Sequence, residues 1–344
     1  MSNLTYIREL GRGTFGSVWL AKDLGTDAFR AVKLVPPSCI PDLEAYNEEA
    51  RVLNELKHPH IITVYGTELG PEFGATPDVG MYAIVMEYME DGSLEDSLKS
   101  QNSLLLDDAL RRITEACRGV ERVHASGYVH RDVKPGNILT SGPITKLSDF
   151  GLAQLLNQGV GPGGGTPFYV APEVISSGIT SPRSDIYSLG VSLYELINGS
   201  SYLTWTGTTE AFARAVVRGA FPDRSEYAPF VTPALQKVIK KALQVDPLKR
   251  YASVADFRHA LGNVRIACSW QQEADAEESW LGMGMNGLFR VQVALAKGAL
   301  EVSRCKTAPG SFRKISADCL YKATSVELRK KQRLVMQRIT VEGR

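Results

Sequence analysis

The sequence lacks the features of membrane-spanning and disulfide-stabilised proteins. No stretch approaches the ~18 consecutive apolar residues of a transmembrane helix, and the first residues, MSNLTYIREL, contain no apolar segment typical of a secretion signal. The five cysteines are scattered and include no CxxC pair, which argues against a disulfide framework and against a zinc site. We therefore expect a cytoplasmic protein with reduced thiols and no membrane partner.

The chain also lacks a strong overall charge, since its net charge is +1 at pH 7. The charges are nevertheless unevenly distributed. From Met285 onward there are 13 Lys and Arg residues against 4 Asp and Glu, whereas the preceding residues contain 26 basic and 34 acidic side chains. An acidic body therefore carries a basic tail.

Apolar periodicity divides the chain into regions of different secondary structure. Alternating residues with Gly-rich turns predict strands over 4–35 and 61–89, with a helix over 42–57 between them. Helical patterns then dominate, and an acidic stretch, QQEADAEES, predicts a linker. The expected organisation is an N-terminal lobe over about 1–89, a helical lobe over about 90–264, a linker over 265–285, and a small β-rich module closed by a basic helix over 286–344.

The most informative segment is HRDVKPGN, which is followed twelve residues later by DFG. It places Asp132, Asn137 and Asp149 within eighteen residues of one another, with Lys134 between the first two. Phosphoryl transfer uses such a set, because one carboxylate orients the attacking hydroxyl, a carboxylate and an amide hold Mg²⁺, and a cation offsets the developing charge. The segment therefore predicts a phosphotransferase with a magnesium site at Asn137 and Asp149.

A second motif, GxGxFGxV, lies in a turn predicted between two strands. Glycines let the backbone approach phosphates and point N–H groups at them. Dinucleotide-binding folds use a similar pattern, but there a helix follows, whereas here a strand follows and Lys33 lies on the next strand. An ordinary glycine-rich hairpin with a surface lysine is the alternative. The nucleotide-binding residues predicted here are Gly11, Arg12, Gly13, Thr14, Phe15, Gly16, Val18, Ala31 and Lys33.

An inward-facing Lys33 needs a counter-charge, and the predicted helix that follows supplies two candidates. Glu49 is the better one, and Glu48 is its neighbour. Only one can face the lysine, because adjacent helical positions differ by about 100° of rotation. The alternative is that both carboxylates are solvated.

Together these motifs resemble the eukaryotic-type protein kinase family, from about Leu4 to about Val264. The resemblance includes AVK at 31–33, APE at 171–173, Asp185 and Arg250. It implies an α+β bilobal fold, with an antiparallel sheet and one helix in the N-lobe and a mainly helical C-lobe. ATP and Mg²⁺ are the implied cofactors.

The resemblance also implies the roles of individual side chains. Asp132 would accept the proton of the substrate hydroxyl, and Lys134 would contact the γ-phosphate. Asp185 would tie the catalytic loop to the central helix, and His130 would pack behind that loop without acting as the base. A buried ion pair is implied between Glu173 and Arg250.

Further positions in the resemblance concern the substrate and the adenine. Lys134 and Thr166, which would lie near the catalytic aspartate, favour Ser and Thr over Tyr as acceptors. Met86 would line the back of the nucleotide pocket, with Glu87 to Met89 as the hinge whose backbone contacts adenine. We therefore expect a serine/threonine protein kinase, with the chain itself among its candidate protein substrates. A pseudokinase scaffold and a small-molecule kinase are the alternatives, but the complete motif set and the APE segment argue against them.

The activation segment departs from the family pattern. Residues 152–164, LAQLLNQGVGPGG, contain no Ser, Thr or Tyr. Kinases with an arginine before the catalytic aspartate, here Arg131, commonly use it to bind a phosphate on this segment. We therefore expect an enzyme that is not controlled by ordinary activation-loop phosphorylation.

The basic tail matches no family, and three interpretations stay open. It could dock on the acidic kinase body or on a partner, or it could be the solvated face of a small folded module. It could also bind nucleic acid through the phosphate backbone, although it lacks interleaved aromatics. The basic residues in question are Arg329, Lys330, Lys331, Arg333 and Arg338.

Overall fold

The computed structural model describes residues 3–13, 16–36, 56–69, 81–101, 103–149, 154–155, 167–273, 278–306 and 310–344. Within them, a five-stranded antiparallel sheet is followed by a mainly helical region and then by a second sheet with its own helix. This confirms the predicted α+β class and the two-lobed arrangement. The predicted helix over 42–57 falls almost wholly outside the described residues.

The N-lobe sheet forms because apolar and polar residues alternate along each strand. One face buries a small cluster of Ala21, Val32, Leu34 and Ala83. The opposite face carries Lys33 towards the C-lobe. The strands, in the order β1-β2-β3-β5-β4, are β1 (Leu4–Gly13), β2 (Gly16–Asp23), β3 (Ala28–Val35), β4 (Val64–Leu69) and β5 (Tyr82–Glu87).

The C-lobe is built around a central helix whose residues from Ser184 to Asn198 are all buried. Ser181 begins this helix with a capping box, and Pro182 occupies its first turn. Two short strand pairs, β6 (Tyr128–Val129) with β9 (Gln154–Leu155) and β7 (Ile138–Ser141) with β8 (Ile144–Leu147), lie in the same lobe. The helices are α1 (Leu94–Gln101), α2 (Leu106–Ala125), α3 (Pro172–Ser177), the central α4 (Pro182–Asn198), α5 (Thr209–Val217), α6 (Pro233–Ala242) and α7 (Val254–Gly262).

The C-terminal module is an antiparallel meander covered by one helix, as the sequence predicts. The helix, α8 (Ser325–Glu342), starts with a capping box formed by Thr324 and Glu327. Its buried side chains include Leu328, Val335, Met336 and Ile339, and it packs on three strands of the sheet. The strands, in sheet order, are β10 (Cys268–Gln272), β11 (Ser279–Gly284), β12 (Gly287–Ala294), β13 (Ala299–Cys305) and β14 (Arg313–Lys314).

The prediction of a linker over 265–285 is wrong, because β10 and β11 lie within that range. Both strands pair in register with the rest of the module sheet, from Cys268 opposite Gly284 to Gln272 opposite Trp280. Two of the acidic residues that suggested a linker, Glu273 and Glu278, lie directly after β10 and directly before β11, and the other two lie outside the described residues. A polar hairpin connection and a flexible linker have similar composition, so composition alone does not separate them.

The module packs directly against the C-lobe. The ring of Trp280 meets that of Phe230 edge to face at 5.5 Å between centroids. Gln337 donates to the carbonyl of Val231 at 2.8 Å, and the N–H of Asp107 at the start of α2 donates to Ser269 Oγ at 3.1 Å. The buried residues of both units therefore form one continuous apolar core.

None of the helices in the described ranges is both long enough and apolar enough to span a bilayer.

Candidate active site

The loop between β6 and β7 brings three predicted residues together around one carboxylate. Lys134 Nζ lies 2.7 Å from Asp132 Oδ2, and Asn137 Nδ2 donates to the same oxygen at 2.9 Å. The Asn137 amide also donates to the Asp132 carbonyl at 2.7 Å. Asp132 is 9% exposed, so these contacts fix its orientation at the base of the cleft.

The catalytic loop is held by a buried carboxylate on the central helix. Asp185 accepts hydrogen bonds from the N–H groups of His130 and Arg131, each at 2.9 Å. His124 Nε2 contacts the same carboxylate at 2.7 Å. Burial acts to raise the pKa of Asp185, but the hydrogen bond and charge of His124 outweigh it and hold this pKa below its ordinary value. The predicted tie between loop and helix is confirmed, whereas His124 was not foreseen.

His130 is fully buried behind the loop, as the sequence predicts. Its Nδ1 accepts from the N–H of Asp132 at 3.3 Å, and its Nε2 lies 3.1 Å from the carbonyl of Ser148. These contacts fit a neutral ring protonated on Nε2. Burial lowers the pKa of His130, which also favours the neutral form.

Asp149 follows β8 and forms an ion pair across the two lobes. Its Oδ1 lies 3.0 Å from Lys33 Nζ on β3, and its side chain is 41% exposed to the cleft. Burial acts to raise the pKa of Asp149, but the charge and hydrogen bond of Lys33 hold it below its ordinary value. The predicted counter-charge of Lys33, Glu49, lies outside the described residues, as do Glu48 and Thr166.

The arrangement fits a nucleotide-bound magnesium ion. Because Asn137 Nδ2 donates to Asp132, the remaining polar atom of that amide, Oδ1, is the one suited to a cation. Lys33 contacts one oxygen of Asp149 and leaves the other for coordination. Among the described residues there is no cluster of three or more His, Cys, Asp and Glu side chains that could hold a metal alone. Such a sparse ligand set suits Mg²⁺, which binds through one or two carboxylates together with phosphate oxygens and water.

The face of the N-lobe sheet that carries Lys33 also carries the predicted adenine-pocket residues. Val18 on β2 lies opposite Lys33, and Ala31 lies opposite Met86 on β5. Because side chains alternate between faces, residues at positions 31 and 33 point to the same side of β3. These four residues therefore share the surface that faces the C-lobe.

The glycine-rich turn approaches its neighbours closely at one position. A Cβ on Gly16 would lie 2.0 Å from the carbonyl oxygen of Leu34, and its φ of +140° favours glycine. Among the described residues, no atom lies within 4 Å of a Cβ added at Gly11 or Gly13. Arg12 pairs with Glu9 at 2.8 Å on the surface, while Thr14 and Phe15 lie outside the described residues.

The predicted hinge contains an ion pair that the sequence did not indicate. Glu87 Oε1 accepts from Lys146 Nζ and from the N–H of Thr63, both at 2.6 Å. This contact joins β8 of the C-lobe to the end of β5. Met89 is 7% exposed and belongs to the C-lobe core.

The predicted ion pair between Glu173 and Arg250 is confirmed. Two parallel hydrogen bonds of 2.7 Å join the guanidinium to the carboxylate. The Arg250 side chain is fully buried, and it also donates to the carbonyls of Gln244, Arg183 and Val245. This network joins the start of α3 to the segments around α4 and α6.

Comparison with known proteins is consistent with this geometry. Residues 4–261, about three-quarters of the chain, match the family described as protein kinase domain. The chain belongs to this family. A serine/threonine-protein kinase of Corynebacterium efficiens is 33% identical over 266 residues, which cover 75% of this chain and 50% of that protein. A serine/threonine-protein kinase of Myxococcus xanthus is 32% identical over 301 residues, which cover 84% of this chain and 41% of that protein. The serine/threonine-protein kinase PrkC of Bacillus subtilis is 30% identical over 261 residues, which cover 73% of this chain and 39% of that protein.

The chain thus spans half or less of the length of these relatives. The family match ends at residue 261, just before α7 ends, so the C-terminal module lies beyond it. Protein kinases as a family use ATP and Mg²⁺, the two cofactors that the motifs indicate.

Proposed function

We propose that this chain is a serine/threonine protein kinase that transfers the γ-phosphate of ATP to hydroxyls of protein substrates. The observation that carries the proposal is the cluster in which Lys134 and Asn137 both hold Asp132. In the same lobe, Asp149 forms an ion pair with Lys33, which reaches it across the cleft from the N-lobe. The names of the relatives favour Ser and Thr as acceptors. The kinase domain would cover residues 1–264, followed by a module that begins near Cys268.

We infer the roles of the side chains from the contacts described above and, for Glu49 and Thr166, from the family resemblance. Asp132 would orient the substrate hydroxyl and accept its proton, while Lys134 would offset charge on the transferred phosphoryl group. Bound Mg²⁺ would neutralise phosphate charge, held by Asn137 and Asp149. Lys33 would bind the α- and β-phosphates from the N-lobe, with Glu49 as its second counter-charge. Thr166 would contact the catalytic aspartate and lysine.

Adenine would lie against the sheet face formed by Val18, Ala31 and Met86, with backbone groups near Glu87 and Met89 reading its edge. The phosphates would lie under the glycine-rich turn between β1 and β2. The absence of described atoms within 4 Å of a Cβ at Gly11 or Gly13 supports this placement.

We further infer that this kinase is not switched by ordinary activation-loop phosphorylation, because residues 152–164 offer no hydroxyl acceptor. The enzyme would instead be constitutively competent, or a partner or the chain's own tail would order the activation segment. An activating phosphate found on Thr166 or Tyr169 would contradict this inference.

The test is phosphotransfer from ATP and Mg²⁺ by the purified full chain to peptides that differ only in a central Ser, Thr or Tyr. We expect transfer to Ser and Thr, and a kcat about 10²- to 10⁴-fold lower for Asp132→Asn. Asp27→Asn, an exposed carboxylate in the turn between β2 and β3, is the matched control and should retain full activity. Binding of a fluorescent ATP analogue should persist in both variants. Equal activity of Asp132→Asn and the control would refute the catalytic assignment.

A further inference from the structure

The basic side chains of the C-terminal module divide into two groups. Arg329 forms an ion pair with Glu278, and Arg338 contacts Asp318 at 2.5 Å. Lys330 and Arg333 are exposed on α8 and form no ion pair with any residue in the described part of the chain. The module therefore neutralises some of its cations internally and leaves these two facing solvent.

Helix α6 of the C-lobe presents a second set of cations. Lys237, Lys240 and Lys241 line a groove of about 410 Å³ together with Pro233, Gln236 and Gln244. Lys240 lies 5.6 Å above the ring of Tyr227, and Lys241 lies 4.4 Å above that of Tyr251. No carboxylate within the described ranges pairs with any of the three lysines.

The two sets meet at the carbonyl of Val231. Gln236 of α6 donates to this oxygen at 2.9 Å, and Gln337 of α8 donates to it at 2.8 Å. The two amides are therefore neighbours at the surface. Lys240 lies one helical turn after Gln236, and Arg333 lies one turn before Gln337, so both cations flank this junction. We use the name α6–α8 groove for the groove along α6 together with the adjoining face of α8; this surface comprises Gln236, Lys237, Lys240, Lys330, Arg333 and Gln337.

Helix stability does not explain this concentration of positive charge. Lys240 and Lys241 lie in the last turn of α6, where they complement the helix dipole, but Lys237 lies in the middle of that helix. Lys330 and Arg333 lie in the first half of α8, away from its C-terminal end. Lys237 and Lys241 are also spaced i,i+4, where like charges destabilise a helix by a few tenths of a kcal/mol.

We propose that the α6–α8 groove binds an Asp- and Glu-rich segment of a partner protein. Charge complementarity favours an anionic ligand, since the four cations of this surface have no carboxylate partner among the described residues. Leu334, which is 66% exposed, lies beside Arg333 and one turn after Lys330, so an apolar side chain stands among the cations. A peptide carries apolar side chains that can cover Leu334, whereas a phosphate backbone does not.

The test uses the full chain and a short fluorescein-labelled peptide of Glu and Asp residues with two Leu, followed by fluorescence anisotropy. We expect binding that weakens with salt and that falls at least tenfold in the triple variant Lys237→Glu, Lys240→Glu, Arg333→Glu. The matched control, Lys306→Glu, Arg313→Glu, Lys322→Glu, changes the net charge equally on exposed residues outside the groove. It should bind within about twofold of the parent chain. Thermal melts verify that both variants fold.

Further binding measurements distinguish a peptide ligand from DNA and from a lipid surface. Leu334→Ser should weaken binding of the peptide and leave the weaker binding of duplex DNA unchanged. A neutral triple variant, with Gln at the three groove positions, should bind the peptide with an affinity between those of the parent chain and the triple Glu variant. The proposal is overturned if the control triple variant weakens binding as much as the groove variant, or if neither does. It is also overturned if duplex DNA or phosphatidylserine vesicles bind the groove more tightly than the peptide.

Discussion

At the scale of single residues, Asp185 organises the catalytic loop through charge. It accepts two consecutive backbone N–H groups, from His130 and Arg131, while His124 contacts the same carboxylate. Hydrogen bonds to a charged group contribute about 1.5–3 kcal/mol each, more than neutral ones. Arg131 adopts a φ of +73°, uncommon for a residue other than glycine, and the bond to its N–H stabilises this conformation. The position of Asp132 therefore depends on a side chain more than fifty residues away.

The buried pair of Glu173 and Arg250 gives a prediction at this scale. Arg250→Met should lower the free energy of unfolding by about 3–5 kcal/mol, because it leaves a carboxylate without its partner in a largely buried site. Arg258→Met is the matched control, since Arg258 pairs with Glu121 on the surface and both side chains are about a quarter exposed. That loss should stay below about 1 kcal/mol. Guanidinium denaturation measures the free energy of unfolding of both variants. Similar losses of that free energy would contradict the structural role assigned to Arg250.

At the scale of secondary-structure elements, the N-lobe sheet positions the nucleotide site through register. Lys33 reaches Asp149 because β3 pairs with both β2 and β5 and points this residue to the cleft. The turn between β1 and β2 depends on Gly16, whose backbone approaches that of Leu34 on β3. Strand pairing and the glycine-rich turn thus form one unit.

From this arrangement we predict that alanine substitutions at two glycines of the same turn have different effects on stability. Gly16→Ala should destabilise the N-lobe by about 1–3 kcal/mol, because its Cβ would collide with a backbone carbonyl at a φ that disfavours side chains. Gly13→Ala meets no atom of the described residues within 4 Å and should change stability by less than about 1 kcal/mol. Thermal denaturation without nucleotide compares the two variants. A larger loss for Gly13→Ala would show that the close approach at Gly16 does not determine the turn.

Local sequence patterns predicted most elements, because strands and helices differ in apolar period. They also predicted the cluster around Asp132, since its members lie within one short motif. The ion pair between Lys146 and Glu87 was not predictable, because it joins residues 59 positions apart without a recognisable motif. β10 was missed for a related reason. It is a short strand with two polar residues at its end, and only its pairing with β11 identifies it.

At the scale of the whole molecule, the C-lobe and the C-terminal module share one apolar core. Phe230 and Trp280 meet edge to face, and Trp270 donates to Thr340 Oγ1 at 2.9 Å deep within the module. The module also caps α2, a helix whose own N-cap residue, Leu105, has no side-chain acceptor. The kinase fold therefore depends on residues beyond its family boundary.

Truncation after Val264 tests this dependence. We expect the shortened chain to unfold at a lower temperature and with lower cooperativity, because Phe230 becomes exposed and the start of α2 loses Ser269. For chains of 150–250 residues, each kcal/mol lost corresponds to about 2–4 °C. Trp280→Ala in the full chain removes one contact and should give an intermediate shift. An unchanged melting temperature of the truncated chain would show that the module folds and acts independently.

The two ends of the module meet, since the N–H of Ala267 donates to the carbonyl of Thr340 at 2.6 Å and Asn286 Nδ2 donates to that of Gly343 at 3.1 Å. Because these two ends lie side by side, a group attached after Gly343 would lie close to the point at which the chain enters the module. The same geometry places a fluorophore attached to Arg344 near Ala267, where the chain enters the module. Such a probe would report on detachment of the module from the C-lobe without touching the catalytic cleft.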